Sequence, residues 1–247
     1  MTTDTDALLT RFLTALSPLA PTAVWAHGSL AGGDYQEGRS DLDLIAVLDT
    51  PPTLRTVRRI VALHRNLRAE PLAAGLHCTY LTPETAADPQ RPHPTWAHGG
   101  LTRRPVTPVT RRELHAFGRV LRGRPPAGLL PTVTDRELAE FVVRDQKEFW
   151  RPNVGTARLW RRDVWVDLGL LTYARAAVTL REGRLITKRE ALDALPGLGA
   201  PVEVVADIER RRYGRPGEPD EEWLARRGEL ARAYLGPAID GLVETYG

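Results

Sequence analysis

Cysteine, lysine and long apolar runs are nearly absent from this chain. Cys78 is the only cysteine among 247 residues, which excludes an intrachain disulfide framework and leads to the expectation of a reducing, cytoplasmic location. One thiol in a strand-like pattern reads as a small buried hydrophobe. No apolar stretch approaches the ~20 residues of a membrane-spanning helix, and the opening Met1-Thr-Thr-Asp-Thr-Asp6 lacks the basic segment of a secretory signal. Lysine occurs only at 147 and 188, so arginine makes the pI near 9.3. A net charge of +3, spread over acidic helices without interleaved aromatics, does not point to nucleic acid. The runs Arg58-Arg59, Arg210-Arg211-Arg212 and Arg226-Arg227 read as solvated helix faces. There is no Gly-x4-Gly-Lys phosphate loop and no Gly-x-Ser-x-Gly elbow. His93 and His98 have no cysteine or carboxylate nearby to complete a zinc set.

What is present is concentrated in one stretch, Trp25-Ala-His-Gly-Ser29 followed by Ser40-Asp-Leu-Asp-Leu-Ile-Ala-Val-Leu48. An apolar run ending at Ala26 meets a Gly-Ser turn, crosses a glycine-rich connector and re-enters a strand through Asp-x-Asp. Side chains two apart on a strand leave one face, so Asp41 and Asp43 present their carboxylates together. Two such acids repel unless a cation sits between them, and hard oxygen ligands suit Mg²⁺ bridging to phosphates. The glycines upstream let backbone amides approach a polyphosphate. Asp-x-Asp alone, or Gly-Ser alone, is common in solvated turns; the ordered combination points to metal-dependent transfer from a nucleoside triphosphate.

Periodicity supplies the setting. Residues 4–17 read as a helix with Leu8, Leu9, Phe12, Leu13 and Leu16 on one face. Strands follow up to Ala26 and at 41–48, then a helix at 54–69 with Leu54, Val57, Ile60, Val61 and Leu67 inward, and a strand at 75–81. Residues 83–109, rich in Pro, Gly, His and Trp, read as a long irregular segment bordering a site. Helix resumes from Arg111 to Leu121. A boundary is expected near 129–133, giving domains 1–130 and 131–247. The second is helical, with helices at about 134–150, 158–182, 187–195, 201–213 and 219–244.

With strand, Gly28-Ser29 and Asp41-x-Asp43 so placed, the chain resembles the nucleotidyltransferase superfamily of the DNA polymerase β type. More narrowly it resembles the aminoglycoside nucleotidyltransferases of the streptomycin/spectinomycin adenylyltransferase group, over most of its length. Gly118-Arg-Val-Leu-Arg-Gly-Arg-Pro-Pro126 looks like the helix-to-Gly-Pro-Pro segment that leaves that family's first domain. Arg175 and Lys188, thirteen residues apart, match the spacing of two basic residues. The resemblance implies an α+β fold: an N-terminal nucleotidyltransferase domain, a mixed sheet flanked by helices, plus a C-terminal all-α domain. It implies attack of an acceptor hydroxyl on the α-phosphorus of ATP. Asp41 and Asp43 would hold Mg²⁺, and Gly28 and Ser29 the departing phosphates. Arg175 and Lys188 would neutralise the pyrophosphate. The acceptor would be a small molecule such as an aminoglycoside antibiotic, with Asp163 and Trp165 as its contacts, and the protein a monomer.

One position departs from the family. A third carboxylate is expected on the strand at 75–81, where this chain has His77. An imidazole titrating near pH 6.5 can serve as the base. Alternatively Glu84, Asp88 or Glu70 takes the place, or the protein binds nucleotide without turnover. A protein or tRNA acceptor, as in toxin–antitoxin nucleotidyltransferases, is a further alternative.

Overall fold

The structure is a computed structural model that describes residues 3–215 and 217–247; Met1 and Thr2, part of the stretch read above for a signal, lie outside the described residues. The chain divides into two compact units, the first ending at Val133 and the second running from Thr134 to Gly247.

The first unit is α+β. Helix α1 (Asp4–Leu16) is capped by Thr3, whose side chain accepts from the Asp6 amide. After it come β1 (Ala23–Ala26), the short helix α2 (Gly28–Gly32) and β2 (Leu42–Val47). Helix α3 (Leu54–Leu67) then crosses to β3 (Leu76–Leu81). Beyond lie α4 (Pro83–Ala86), β4 (His93–Ala97), β5 (Gly100–Arg104), α5 (Pro108–Phe117) and β6 (Arg119–Gly123). The six strands lie in the order β5-β4-β3-β2-β1-β6. Among the described residues only the β2–β3 strand pair is parallel, and α3 supplies the crossover that a parallel pair requires.

Alternation along the central strands feeds two cores. Val24, Ala26, Leu42, Leu44, Ala46, Leu76, Cys78 and Tyr80 pack with Leu8, Phe12 and Ile60 of α1 and α3. Ala23, Trp25, Ile45, Val47 and Leu81 pack on the opposite face with Leu114 of α5. Cys78 is buried as expected, and burial pushes its thiol up to about 12.

Several sequence expectations need correction here. Leu54, expected inward, is the first residue of α3 and is 81% exposed, whereas Leu63 and His64 are buried. The stretch 83–109 is not irregular: it holds α4, the β4–β5 hairpin and the start of α5. The helix expected to Leu121 ends at Phe117, and residues 119–123 form an edge strand antiparallel to β1. Arg119-Val-Leu-Arg122 has no period-2 alternation of its own, and the unpaired edge of β1 makes it a strand.

Among the described residues the second unit's regular structure is all helical: α6 (Asp135–Asp145), α7 (Arg151–Val154), α8 (Asp163–Glu182), α9 (Lys188–Ala194), α10 (Val202–Tyr213) and α11 (Glu221–Tyr246). A π-turn at Gln146–Trp150 and a 3₁₀ helix at Ala157–Arg161 interrupt the helices expected at 134–150 and 158–182. Two of the arginine runs are not solvated faces. Arg227 is fully buried; it donates to Asp207 at 2.9 Å and to Asp163 at 2.6 Å. Arg211 donates to Asp167 at 2.6 Å. Burial raises the Asp167 carboxyl despite Arg211; at Asp207 burial acts the same way, but the Arg227 hydrogen bond and the Arg211 and Arg210 contacts outweigh it and hold that carboxyl low. A charge removed from water needs such partners, and that is why helices rich in arginine pack here.

Two buried histidines set an acid limit. Burial, aided by the neighbouring His77, lowers His64 to about 3, and its Nε2 sits 2.8 Å from the Tyr80 hydroxyl. Burial and the surrounding arginines lower His93 to about 4. An unfolded histidine takes its proton near pH 6.5. The unfolded chain therefore binds more protons than the native one below that pH, and stability falls as pH drops from 6.5 toward 4. Urea unfolding across that range should show a loss of up to about 1.4 kcal/mol per pH unit for each histidine. The substitution His64→Gln should make the slope shallower.

Candidate active site

The site grows from the start of β2. Leu42, Leu44 and Ala46 point to the α1–α3 core, which turns Asp43, Ile45 and Val47 to the α5 face. Asp43 stands at the mouth of the strand with its side chain 35% exposed, and Asp41 precedes it at 53%. The carboxylates therefore leave one face, half wetted, where hard cations and phosphates can reach them.

Gly28 closes the site from above. It opens α2 with φ +62, a left-handed conformation that glycine adopts without penalty. A Cβ built there would lie 3.0 Å from Asp43 Oδ2, so the main chain passes close over the carboxylate. Ser29 follows inside α2, and its carbonyl accepts from the Asp34 amide at 3.0 Å. The Gly-Ser pair is thus the first turn of a short helix rather than the free turn expected.

Strand pairing completes the row. Asp43 is in register with His77 on β3. The His77 ring lies between the two acids, with Nδ1 3.5 Å from Asp43 Oδ1 and Nε2 3.8 Å from Asp41 Oδ1. On the other side, the His27 amide donates to the Asp43 carbonyl at 3.0 Å. The alternation Ala23, Trp25 puts His27 on the same face, where its Nδ1 is 3.4 Å from Glu113 Oε2 of α5. His27, one residue past the end of β1, thus stands beside Asp43 of β2 and His77 of β3.

A second histidine holds the first. The β4–β5 turn is His98-Gly99, with φ +51 and +75, the two positive values of a type I′ hairpin. Asparagine usually fills the first position; histidine there is strained. The turn brings the His98 amide to His77 Nε2, to which it donates at 3.3 Å, and sets the two rings edge to face at 4.6 Å. An Nε2 that accepts a hydrogen bond carries no proton of its own in the neutral ring, so the proton belongs on Nδ1, beside Asp43. Of the alternative acids, Glu70 pairs with Arg11 and the Asp88 carboxylate accepts from the Gln90 amide; Glu84 is exposed on α4. It is His77 that lies against the aspartates.

Among the described residues, no group of three or more His, Cys, Asp and Glu is arranged to hold a metal ion. Two carboxylates are nevertheless a sufficient protein share for Mg²⁺, which takes one or two from the protein and its remaining ligands from water and substrate phosphates. The half-exposed pair beneath Gly28 fits that donor set.

The other expected residues belong to the second unit. On α8, Arg175 Nε donates to the Ile186 carbonyl at 2.9 Å, steadying the segment that leads to Lys188, the first residue of α9. Asp163 is committed to Arg227, yet its side chain remains 54% exposed. Trp165 stacks on Phe149 at 6.1 Å and meets Trp150 and Trp160 edge-on. Sequence reasoning passed over His27 and weighed His98 only as a zinc ligand, not as a partner of His77. The first could be read from the Ala23-Trp25-His27 alternation; for the second, His-Gly between two strand patterns was the available turn signal.

The contact at Gly28 can be measured. Gly28→Ala meets both the left-handed backbone and Asp43, whereas Gly33→Ala, at φ +79, meets no atom within 4 Å. Backbone strain costs each about 1–2 kcal/mol. Urea denaturation should find Gly28→Ala the more destabilised of the two; equal losses would show that the approach to Asp43 carries no weight.

No protein-family model matches the chain, and no curated protein matches it. Among solved structures it is similar to a crystal structure of spectinomycin adenyltransferase AAD(9) from Enterococcus faecialis with ATP and spectinomycin. The TM-score is 0.73 at 15% identity, and the match covers 95% of this chain and 98% of that one. At that identity the likeness is one of fold, reached with few shared side chains. The chain has an aminoglycoside nucleotidyltransferase-like fold.

Proposed function

We propose that the protein is a nucleotidyltransferase that moves AMP from ATP to a hydroxyl of a small molecule, with aminoglycosides as the acceptor class. The observation that carries this reading is Asp41 and Asp43 together against His77, with the backbone of Gly28 passing close over Asp43. The structural neighbour, which was crystallised with ATP and spectinomycin, supports both substrate classes.

In this reading Asp41 and Asp43 hold Mg²⁺. Magnesium, when bound, neutralises phosphate charge and stabilises the attacking and leaving oxygens of an in-line displacement. The chain's own residues do the rest. Gly28 and Ser29 are assigned the departing phosphates, Gly28 leaving its own main chain uncovered by any side chain. Arg175 and Lys188 are assigned the charge of the leaving pyrophosphate. Asp163 and Trp165 are assigned to the acceptor, an exposed carboxylate edge for a cation and an aromatic face for a sugar ring. His77 acts through Asp43: with Nε2 held by His98, its Nδ1 proton faces the Asp43 carboxylate and orients it. That is the usual part of a group behind a metal ligand.

One observation favours a second reading. With a histidine where a third acid is expected, the protein could bind ATP without transfer. Labelled AMP should pass from α-labelled ATP to one member of an aminoglycoside panel, and Asp43→Asn should reduce the rate by about 100-fold or more while ATP binding persists. For His77→Asn the expected loss in kcat is roughly 10–100-fold with little change in the ATP KM. ATP binding by calorimetry with no transfer to any acceptor would favour the second reading. Label on macromolecules of a cell lysate would move the acceptor to protein or tRNA.

A further inference from the structure

The second unit contains a cavity of about 380 Å³ that the proposed transfer does not use, lined by Ala157, Arg158, Arg161, Ala225, Gly228, Glu229 and Arg232. Its two walls have a simple origin. Arg158 and Arg161 lie three apart on the 3₁₀ helix Ala157–Arg161. At three residues per turn such side chains eclipse, so the two guanidiniums rise from one face. The facing wall is one stripe of α11: Ala225, Gly228, Glu229 and Arg232 stand at i, i+3, i+4 and i+7. Gly228 lets the walls meet. A Cβ there would fall 2.6 Å from the Trp160 carbonyl oxygen, so any larger residue would push α11 away from the 3₁₀ helix.

The charge of this space is unbalanced. Three arginines face one glutamate. Among the described residues Arg158 and Arg161 form no salt bridge, although most arginines of this unit are paired with acids. Arg232 is tied through Nε to the Val154 carbonyl oxygen at 2.6 Å, which fixes the side chain and leaves its two terminal amino groups for a ligand. Two eclipsed guanidiniums repel each other unless an anion neutralises them. Planar forks suit the paired oxygens of a phosphate. The alanines and the glycine leave a small apolar floor, and the volume is at the lower end of those that hold small organic ligands.

We propose that this cavity is an anion site for a phosphate group, free or borne on a small organic molecule, separate from the Asp41–Asp43 site. Its test is titration calorimetry of the full chain with AMP and with inorganic phosphate, divalent cations omitted so that no phosphate is held through a metal at Asp41 and Asp43. Both probes should bind. Arg158→Ser/Arg161→Ser, two exposed changes, should weaken them by about tenfold or more at an unchanged melting temperature. AMP binding well ahead of phosphate assigns the floor to the organic part, and equal binding assigns the site to phosphate alone; both support the proposal. Absence of binding, or binding untouched by the double arginine substitution, overturns it.

Discussion

The parallel pairing of β2 with β3 is the constraint on which the first unit depends. It places Asp43 opposite His77, and α3 is the crossover that makes such a pair possible. Because strand side chains alternate, the pairing also decides which residues are core. Leu42, Leu44 and Ala46 face one layer of helices; Ile45 and Val47 face the other. Asp43 falls on the second face by the same alternation, and an acid is tolerated there because it sits at the strand's open end, under Gly28 and α2. A slip of one residue would turn the acids into the α1–α3 core and the leucines toward the α5 face.

Charge is handled differently in the two units. In the first, two carboxylates are left half exposed next to an uncrowded main chain. In the second, acids and arginines are taken into the helical packing and paired there: Asp163, Asp167 and Asp207 share Arg211 and Arg227. This matters for reading Asp163. Its carboxylate anchors a buried guanidinium on one side and faces solvent on the other, so a substitution would act on stability as well as on any ligand. The arginines of the 3₁₀ helix at Ala157–Arg161, outside that network, stand out by contrast.

Much of the layout was legible beforehand. The spans of α1, β1, β2, α3, β3 and the main helices of the second unit followed from apolar spacing and from Pro and Gly stops. The errors share a cause. Residues 119–123 became a strand because β1 offered an unpaired edge, and residues 93–104 became a hairpin because β3 did the same. Arg211 and Arg227 were read as surface because a helix sequence does not announce which charged residue will meet an acid from another helix.

The motif itself was local information: Gly28-Ser29, the spacing to Asp41 and Asp43, and the two-residue period determined that a pair of acids would leave one strand face. The tertiary structure decided what surrounds them. His27, His77 and His98 arrive from three different strand ends, and Glu113 from a helix seventy residues beyond Asp43. Those neighbours are set by cross-strand register, which residues adjacent in the chain do not encode, and by the pairing of β4 with β3 that carries the locally formed His98-Gly99 turn to His77.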